Sequence, residues 1–176
     1  RFKAEILEIK FHGKTISDIL DSTIDDAIAF FAAHNERKIS NKLQPLQDVG
    51  LGYAHLGQSS STLSGGEAQR VKLAFFLSKG IKNGKTLFLF DEPTTGLHFD
   101  DVKKLLRAFN ELVDLGHTVI VIEHDLDVIQ RCDHVIEIGP EGGELGGQLL
   151  YSGPPDQLNT VNESPTAEAL ETHLKQ

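Results

Sequence analysis

Several residue types are rare or absent in this chain of 176 residues. It contains no methionine, no tryptophan and a single cysteine, Cys132. One cysteine cannot form an internal disulfide bond, and no signal peptide opens the chain, so we expect a reducing, cytoplasmic setting. The longest apolar run, 27–33, has seven residues, whereas a helix needs about 20 to cross a bilayer. We therefore expect no membrane segment, and the missing initiator methionine indicates a piece of a longer polypeptide.

The chain also lacks an excess of basic residues. Its 17 Lys and Arg residues are outnumbered by 26 Asp and Glu residues, which gives a net charge of −9. A basic field over the whole domain, of the kind that wraps nucleic acid, is therefore excluded. With 39% hydrophobic and 24% charged residues, the composition is typical of a globular domain that can bury a core.

Hydropathy patterns predict three parts: a mostly helical lobe over 1–82, an α/β segment over 83–160 and a helical tail over 161–176. In the lobe, a weak alternation of apolar residues over 2–9 predicts an edge strand or a hairpin. The residues 21–23 predict the N-terminal cap of a helix, because the apolar residues from Ile24 to Phe31 recur at helical spacing.

Strands and helices are predicted to alternate in the second half. Three continuous apolar runs predict strands at 86–90, 118–122 and 134–138. Amphipathic helices with short connections separate these runs, an order typical of βαβ units and a parallel sheet. The unbroken first run predicts a strand buried on both faces. A hairpin strand is predicted over 148–151, and Ser164 followed by Pro165 predicts the start of a last helix.

The first candidate site is Leu63–Arg70, with the sequence LSGGEAQR. Ser64 and Glu67 have the spacing of a capping box, which indicates a helix start. A capping box does not explain Gly65 and Gly66, since a glycine inside a helix costs about 1 kcal/mol relative to alanine. Bare backbone at a helix N-terminus lets an anion approach the free N–H groups. A structural cap and a phosphate-binding helix start therefore both stay open.

Two carboxylates form the second candidate site. Asp91 and Glu92 follow the first predicted strand, and Pro93 then stops it. The carboxyl end of a buried parallel strand lies where ligands bind in open α/β folds. One acid that holds Mg²⁺ beside another that orients water is the arrangement that nucleoside triphosphate hydrolysis requires. A solvated acidic turn is the alternative, and it explains one acid more readily than two.

Polar residues also follow the next predicted strand, at Glu123, His124 and Asp125. A lone histidine is usually structural, and Asp125 has the position of a cap for the following helix. If the two strands pair in parallel, however, their ends bring His124 near Asp91 and Glu92. We therefore add His124 to the candidate site.

Two segments resemble phosphate-binding loops but do not meet the pattern. The segment 80–86 is one residue short of G-x-x-x-x-G-K-[ST] and precedes a strand instead of following one, and 13–15 lacks the upstream glycine. We expect turns at both places and no phosphate-binding loop in this sequence. The eight histidines lack metal-ligand spacing, which argues against a metal site built from side chains.

Together these motifs resemble those of ATP-binding cassette (ABC) ATPases. Leu63–Arg70 is similar to their signature motif, Phe88–Pro93 to their Walker B strand with its catalytic glutamate, and His124 to their switch histidine. Longer strings resemble the UvrA branch, the excinuclease ATPases, at 56–58, 62–74, 91–98, 122–129 and 138–143. The resemblance implies an α/β fold: a partial P-loop NTPase core of the ABC type with a parallel sheet, preceded by a mostly helical signature lobe.

The resemblance also implies roles for individual residues. Asp91 would hold Mg²⁺ through water, Glu92 would polarise the attacking water, and His124 would contact the γ-phosphate of ATP. A second nucleotide would be bound by the signature residues Ser64, Gly65, Gly66, Glu67 and Gln69. The phosphates of that nucleotide would be held by the first cassette of the same chain. This segment would therefore supply halves of two sites and would be inactive alone.

For the whole protein, the resemblance implies a bacterial ATPase of nucleotide excision repair. Its partners would be damaged double-stranded DNA, a second copy in a homodimer and the second excinuclease component (UvrB). A zinc module and the Walker A loop would precede Arg1, so zinc would be bound outside this segment. Two alternatives stay open: the ATPase component of an ABC transporter, and a non-catalytic dimerisation or DNA-binding module.

Overall fold

The computed structural model describes residues 2–79, 84–140, 146–161 and 164–173. The chain divides into two compact units, Arg1–Ile122 and Glu123–Gln176. Each unit has its own cluster of buried apolar side chains. None of the described helices is both long and apolar enough to span a membrane.

The first unit begins with the helices α1 (Ala4–Leu7), α2 (Ile16–Asp21), α3 (Ile24–Ala33) and α4 (Arg37–Asp48). The strand or hairpin predicted over 2–9 is wrong, because the chain makes one helical turn there. A segment this short does not distinguish the two-residue repeat of a strand from the 3.6-residue repeat of a helix. Its alanine, glutamate and leucine favour a helix. The cap predicted before α3 is confirmed: the hydroxyl of Thr23 accepts a hydrogen bond from the N–H of Asp26 at 3.1 Å.

A long helix and a βαβ unit complete the first unit. The elements are α5 (Gly65–Lys79), β1 (Leu87–Asp91), α6 (Phe99–Asp114) and β2 (Thr118–Ile122). The two strands pair in parallel, with Leu87 opposite Thr118 and Asp91 opposite Ile122. The parallel pairing predicted for the first two apolar runs is therefore confirmed.

One face of the β1–β2 pair belongs to the core of the first unit. Phe88 and Phe90 are 7% and 6% exposed and share a cluster with Phe109 of α6. On the other face, Leu87 and Leu89 are 56% and 66% exposed. The prediction that β1 is buried on both faces is therefore wrong. Successive side chains of a strand point to opposite faces, and an apolar run alone does not show how many faces are covered.

The second unit contains α7 (Leu126–Arg131), β3 (Val135–Gly139), β4 (Gln148–Gly153), a 3-10 helix (Pro155–Thr160) and α8 (Pro165–His173). The hairpin strand predicted over 148–151 is confirmed as part of β4. The run 134–138, predicted to continue the parallel sheet, instead pairs antiparallel with β4 in the described part of the chain. A short apolar run has the same sequence pattern in either kind of sheet. Residues 141–143, in the last of the strings named above, lie outside the described residues.

A buried carboxylate fixes the start of α8. Ser164 caps the helix by accepting a hydrogen bond from the N–H of Ala167 at 2.9 Å, and its hydroxyl donates one of 2.6 Å to Glu137 of β3. The N–H of Thr166 donates to the other carboxylate oxygen at 3.1 Å. Burial raises the pKa of Glu137, but the hydrogen bonds from Ser164 and Thr166 outweigh it and leave the pKa below its ordinary value. The predicted start of the last helix is thus confirmed.

Candidate active site

Helix α5 begins with the predicted capping box. The carboxylate of Glu67 accepts a hydrogen bond from the N–H of Ser64 at 2.7 Å, and the hydroxyl of Ser64 accepts one from the N–H of Glu67 at 3.2 Å. Each bond satisfies a backbone donor that the start of a helix leaves without a partner. The structural role of Ser64 and Glu67 is therefore confirmed, while phosphate binding by the helix start stays a prediction.

The two glycines of the first turn of α5 have different surroundings. A Cβ atom on Gly65 would meet no heavy atom of the described residues within 4 Å. A Cβ atom on Gly66 would lie 3.4 Å from the carbonyl oxygen of Glu92 and 3.4 Å from the guanidinium of Arg70. Gly65 therefore leaves the backbone open to a ligand, whereas Gly66 lets the helix pack closely against the turn after β1.

Glu67 and Gln69, both predicted to contact a nucleotide, bind groups of their own chain. The Oε1 atom of Glu67 accepts a hydrogen bond from the hydroxyl of Tyr53 at 2.8 Å. Hydrogen bonds from the N–H of Ser64 and from Tyr53 lower the pKa of Glu67. The Oε1 atom of Gln69 accepts a hydrogen bond from the N–H of Asp91 at 3.1 Å. These oxygen atoms therefore stabilise the site's own structure.

Arg70, the last residue of the motif, is completely buried at 0% exposure. Its Nη1 atom donates a hydrogen bond of 2.6 Å to the carbonyl of Pro93, and its Nη2 atom donates one of 3.2 Å to the hydroxyl of Tyr53. The side chains of two consecutive residues, Gln69 and Arg70, therefore join the first part of α5 to the turn at 91–93, which we call the acidic turn.

The acidic pair lies at the carboxyl end of β1, as predicted. Asp91 is the last residue of the strand, and both Asp91 and Glu92 are exposed. Glu92 has a φ of +45°, a left-handed conformation that costs a residue with a side chain about 1–2 kcal/mol. Its N–H donates to the carbonyl of Ile122 at the end of β2 at 2.9 Å, and its carbonyl accepts from the N–H of Thr95 at 3.2 Å.

His124 belongs to the second unit and follows β2 by two residues. It is exposed, and its N–H and that of Asp125 donate to the carboxylate of Glu123 at 3.0 and 3.2 Å. The side chain of Asp125 caps α7 by accepting hydrogen bonds from two N–H groups of the first turn. Asp125 is therefore a helix cap, as its position predicts, and the role of His124 stays a prediction.

Of the two segments that resemble phosphate-binding loops, the structure describes 13–15 in full and 80–86 only in part. Around Gly13, the N–H groups of Phe11 and Lys14 donate to each other's carbonyls at 2.9 and 3.1 Å, so the predicted turn is confirmed. Residues 80–83 of the other segment lie outside the described residues. Among the described residues, no group of three or more His, Cys, Asp or Glu is placed to hold a metal ion.

Comparison with known proteins places this chain in a family. No protein-family model matches the chain. The chain is 57% identical over 174 residues to the UvrABC system protein A of Mycoplasmopsis pulmonis, and 52% identical over 176 residues to that of Streptococcus pyogenes serotype M1. The crystal structure of UvrA2 from Deinococcus radiodurans is similar to it with a TM-score of 0.78 and 45% identity.

The chain belongs to the UvrA family. The two relatives match 99% and 100% of this chain, but the chain spans only 18% of the length of each. The solved UvrA2 structure matches 98% of this chain, which corresponds to 21% of that structure's chain. The predicted fold class, an α/β core of the ABC type with a parallel sheet after a mostly helical lobe, is confirmed, and in the described residues the parallel sheet consists of β1 and β2.

Two residues of this candidate site, Arg70 and Tyr53, were not predicted. A signal for Arg70 is present in the sequence, because Gly66, Arg70 and Leu73 follow each other at helical spacing on the buried side of α5. An arginine on an apolar stripe indicates a buried charge with specific partners. No such signal exists for Tyr53, whose contact with Arg70 is made between residues 17 positions apart in the chain.

Proposed function

We propose that this chain is an ATPase segment of a nucleotide-excision-repair protein of the UvrA family. The observation that carries the proposal is the turn after β1, where two exposed carboxylates, Asp91 and Glu92, follow a parallel strand. Identity of 57% to a UvrABC system protein A supports a role in repair over a role in a transporter. Because the chain spans 18% of that relative, the activity of the whole protein is part of the proposal.

The residues of the acidic turn fit Mg-ATP, since Mg²⁺ prefers carboxylate and water oxygens. Bound Mg-ATP supplies the phosphoryl group and the metal charge that stabilises its transfer. We assign to Asp91 the holding of Mg²⁺ through water, and to Glu92 the orientation and polarisation of the attacking water. We assign to His124 a contact with the γ-phosphate.

The exposed start of α5 is proposed to bind the phosphates of a second nucleotide. The first N–H groups of a helix lack intrahelical acceptors, and the helix dipole favours an anion there. Ser64 and Gly65 are exposed, and Gly65 has open space beside it. The carboxylate of Glu67 accepts hydrogen bonds from the N–H of Ser64 and the hydroxyl of Tyr53. Because the negative charge of Glu67 is bound by these two groups, an anion site at the other residues of the helix start is supported. The opposite half of this site is proposed to come from the first cassette of the same chain.

Further parts of the proposal concern the whole protein. We propose that it forms a homodimer, binds damaged double-stranded DNA and the second excinuclease component (UvrB), and acts in the cytoplasm with zinc bound outside this segment. The net charge of −9 supports DNA contacts that lie mostly outside this segment, because phosphate contacts are made by Lys and Arg.

Calorimetric titration of the isolated chain with Mg-ATP tests the half-site proposal. We expect no binding up to millimolar ATP, because neither half-site has the phosphate-binding loop that holds most of a nucleotide's charge. Binding in the micromolar range would contradict the proposal. The segment 80–86 would then be the first candidate for a phosphate-binding loop.

ATP hydrolysis by the full-length protein tests the role of Glu92. Glu92→Gln removes the charge with little change of shape, so we expect ATP binding to persist and turnover to be lost at one of two sites. Glu111→Gln, at an exposed position of α6, is the matched control and should leave turnover unchanged. Full turnover at both sites in Glu92→Gln would refute the assignment.

A further inference from the structure

We infer that Gln69 and Arg70 are positioning residues for Glu92. The inference rests on the proposed function, since it concerns the carboxylate that was assigned there to catalysis. Two consecutive residues of α5 bind the backbone on either side of Glu92. Gln69 binds the residue before it, Asp91, and Arg70 binds the residue after it, Pro93.

The backbone of Glu92 requires such support. Its φ of +45° is a conformation that side-chain-bearing residues rarely adopt, and an unfavourable conformation persists only where the surroundings enforce it. A return to negative φ would turn the Glu92 side chain in another direction. The hydrogen bonds to the N–H of Asp91 and to the carbonyl of Pro93 oppose that change, because they hold the residues on either side of Glu92 in place.

The contact on the Pro93 side is made by a buried cation. The bond from Nη1 of Arg70 to the carbonyl of Pro93 is short, at 2.6 Å, as charge-assisted hydrogen bonds are. The Nε–H group of Arg70 is buried without a hydrogen-bond partner among the described residues. A buried guanidinium bonded to neutral oxygens is a costly way to stabilise a core. The carbonyl of Pro93 is one of the two groups that this guanidinium holds in place, the hydroxyl of Tyr53 being the other.

Gly66 brings the helix close enough for both contacts. The position of a Cβ on Gly66 lies 3.4 Å from the carbonyl oxygen of Glu92 and 3.7 Å from that of Pro93. The same first turn of α5 carries Ser64 and Gly65, which are proposed to bind the second nucleotide. A displacement of α5 therefore also moves the turn at Glu92, so that both proposed half-sites depend on the position of this helix.

The test compares two variants of Gln69 in the full-length protein. Gln69→Leu removes the acceptor for the Asp91 N–H, and Gln69→Glu keeps an acceptor oxygen at that position. Turnover that depends on Glu92 is taken as the difference between the wild type and Glu92→Gln. We expect Gln69→Leu to lower this share of kcat about tenfold with KM for ATP unchanged, since small misplacements of a catalytic group act on the chemical step. We expect the separate variant Gln69→Glu to retain most of the Glu92-dependent kcat.

Arg70→Lys provides a second measurement, because lysine retains a positive donor but not the guanidinium fork. We expect a fall in the Glu92-dependent kcat at constant KM here as well. Unchanged kcat in Gln69→Leu, or a fall that Gln69→Glu does not restore, would overturn the inference. A raised KM at constant kcat would also overturn it and would identify Gln69 as a nucleotide contact. If Glu92→Gln itself retains full turnover, the proposed function fails, and the inference fails with it.

Discussion

The guanidinium of Arg70 donates a 2.6 Å hydrogen bond to the carbonyl of Pro93, across 23 positions of sequence. Arg70 and Pro93 are both among the fully buried side chains of the chain. Because Arg70 lies in α5 and Pro93 lies in the turn after β1, the bond joins the helix that follows the capping box to the parallel strand pair. The contact is therefore important both for the stability of the first unit and for the geometry of the acidic turn.

Removal of the Arg70 side chain should destabilise the first unit. Arg70→Ala leaves a cavity and the buried carbonyl of Pro93 without its partner, and we expect a loss of about 2–4 kcal/mol in the free energy of unfolding. Urea denaturation followed by circular dichroism measures this loss. Arg107→Ala, at an exposed position of α6, should change the free energy of unfolding by less than about 0.5 kcal/mol. Equal midpoints for the two variants would show that the buried contact is absent in solution.

At acidic pH, the free energy of unfolding should depend on the ionisation of Glu67. Hydrogen bonds from the N–H of Ser64 and the hydroxyl of Tyr53 lower the pKa of Glu67 in the folded chain. A lowered pKa means that its contribution is complete above the unfolded value, about 4.3, and is lost as the pH falls through the folded value.

Glu67→Gln keeps one of the two acceptor oxygens and cannot titrate, so it tests this dependence. The wild type should progressively lose its stability advantage over Glu67→Gln as the pH falls through and below about 4.3, as measured by urea midpoints across this acid range. A difference that stays constant over this range would show that Glu67 has an ordinary pKa in the folded chain.

The start of α8 should depend on the carboxylate of Glu137. Glu137→Ala removes the acceptor for the hydroxyl of Ser164 and the N–H of Thr166, both of which lie at the helix N-terminus. We expect the amide of Thr166 to exchange hydrogen at least about tenfold faster, since one lost hydrogen bond of this kind corresponds to roughly 1.5–3 kcal/mol. Glu168→Ala, which removes a carboxylate from the exposed part of the same turn, should leave this exchange rate nearly unchanged.

Local signals predicted the parts of the fold that local forces determine. The caps at Thr23, Ser64 and Ser164 follow from side chains that bond nearby N–H groups, and such bonds need no tertiary information. The parallel pairing of β1 with β2 was likewise predictable, because a helix connects two apolar runs there. These signals also placed Asp91 and Glu92 at the end of a strand.

Features that depend on distant contacts were not predictable in the same way. The antiparallel partner of β3 and the one-sided burial of β1 are decided by the elements that pack against each strand, not by the strand's own residues. The hydrogen bond that Glu67 accepts from Tyr53 joins residues 14 positions apart in the chain. The left-handed backbone of Glu92 also has no sequence signal, since glutamate is not a residue that favours positive φ.

The left-handed conformation of Glu92 leads to a stability prediction with an unusual sign. Glycine adopts positive φ at no steric cost, whereas alanine carries the same penalty as glutamate, about 1–2 kcal/mol. Glu92→Gly should therefore be more stable to urea than Glu92→Ala by about 1 kcal/mol, although glycine normally destabilises a folded chain. Comparison with Glu92→Ala separates this backbone effect from the loss of the carboxylate, which both variants share. If Glu92→Ala were the more stable variant, φ at position 92 would be negative in solution, and the backbone support attributed to Gln69 and Arg70 would have no strained residue to hold.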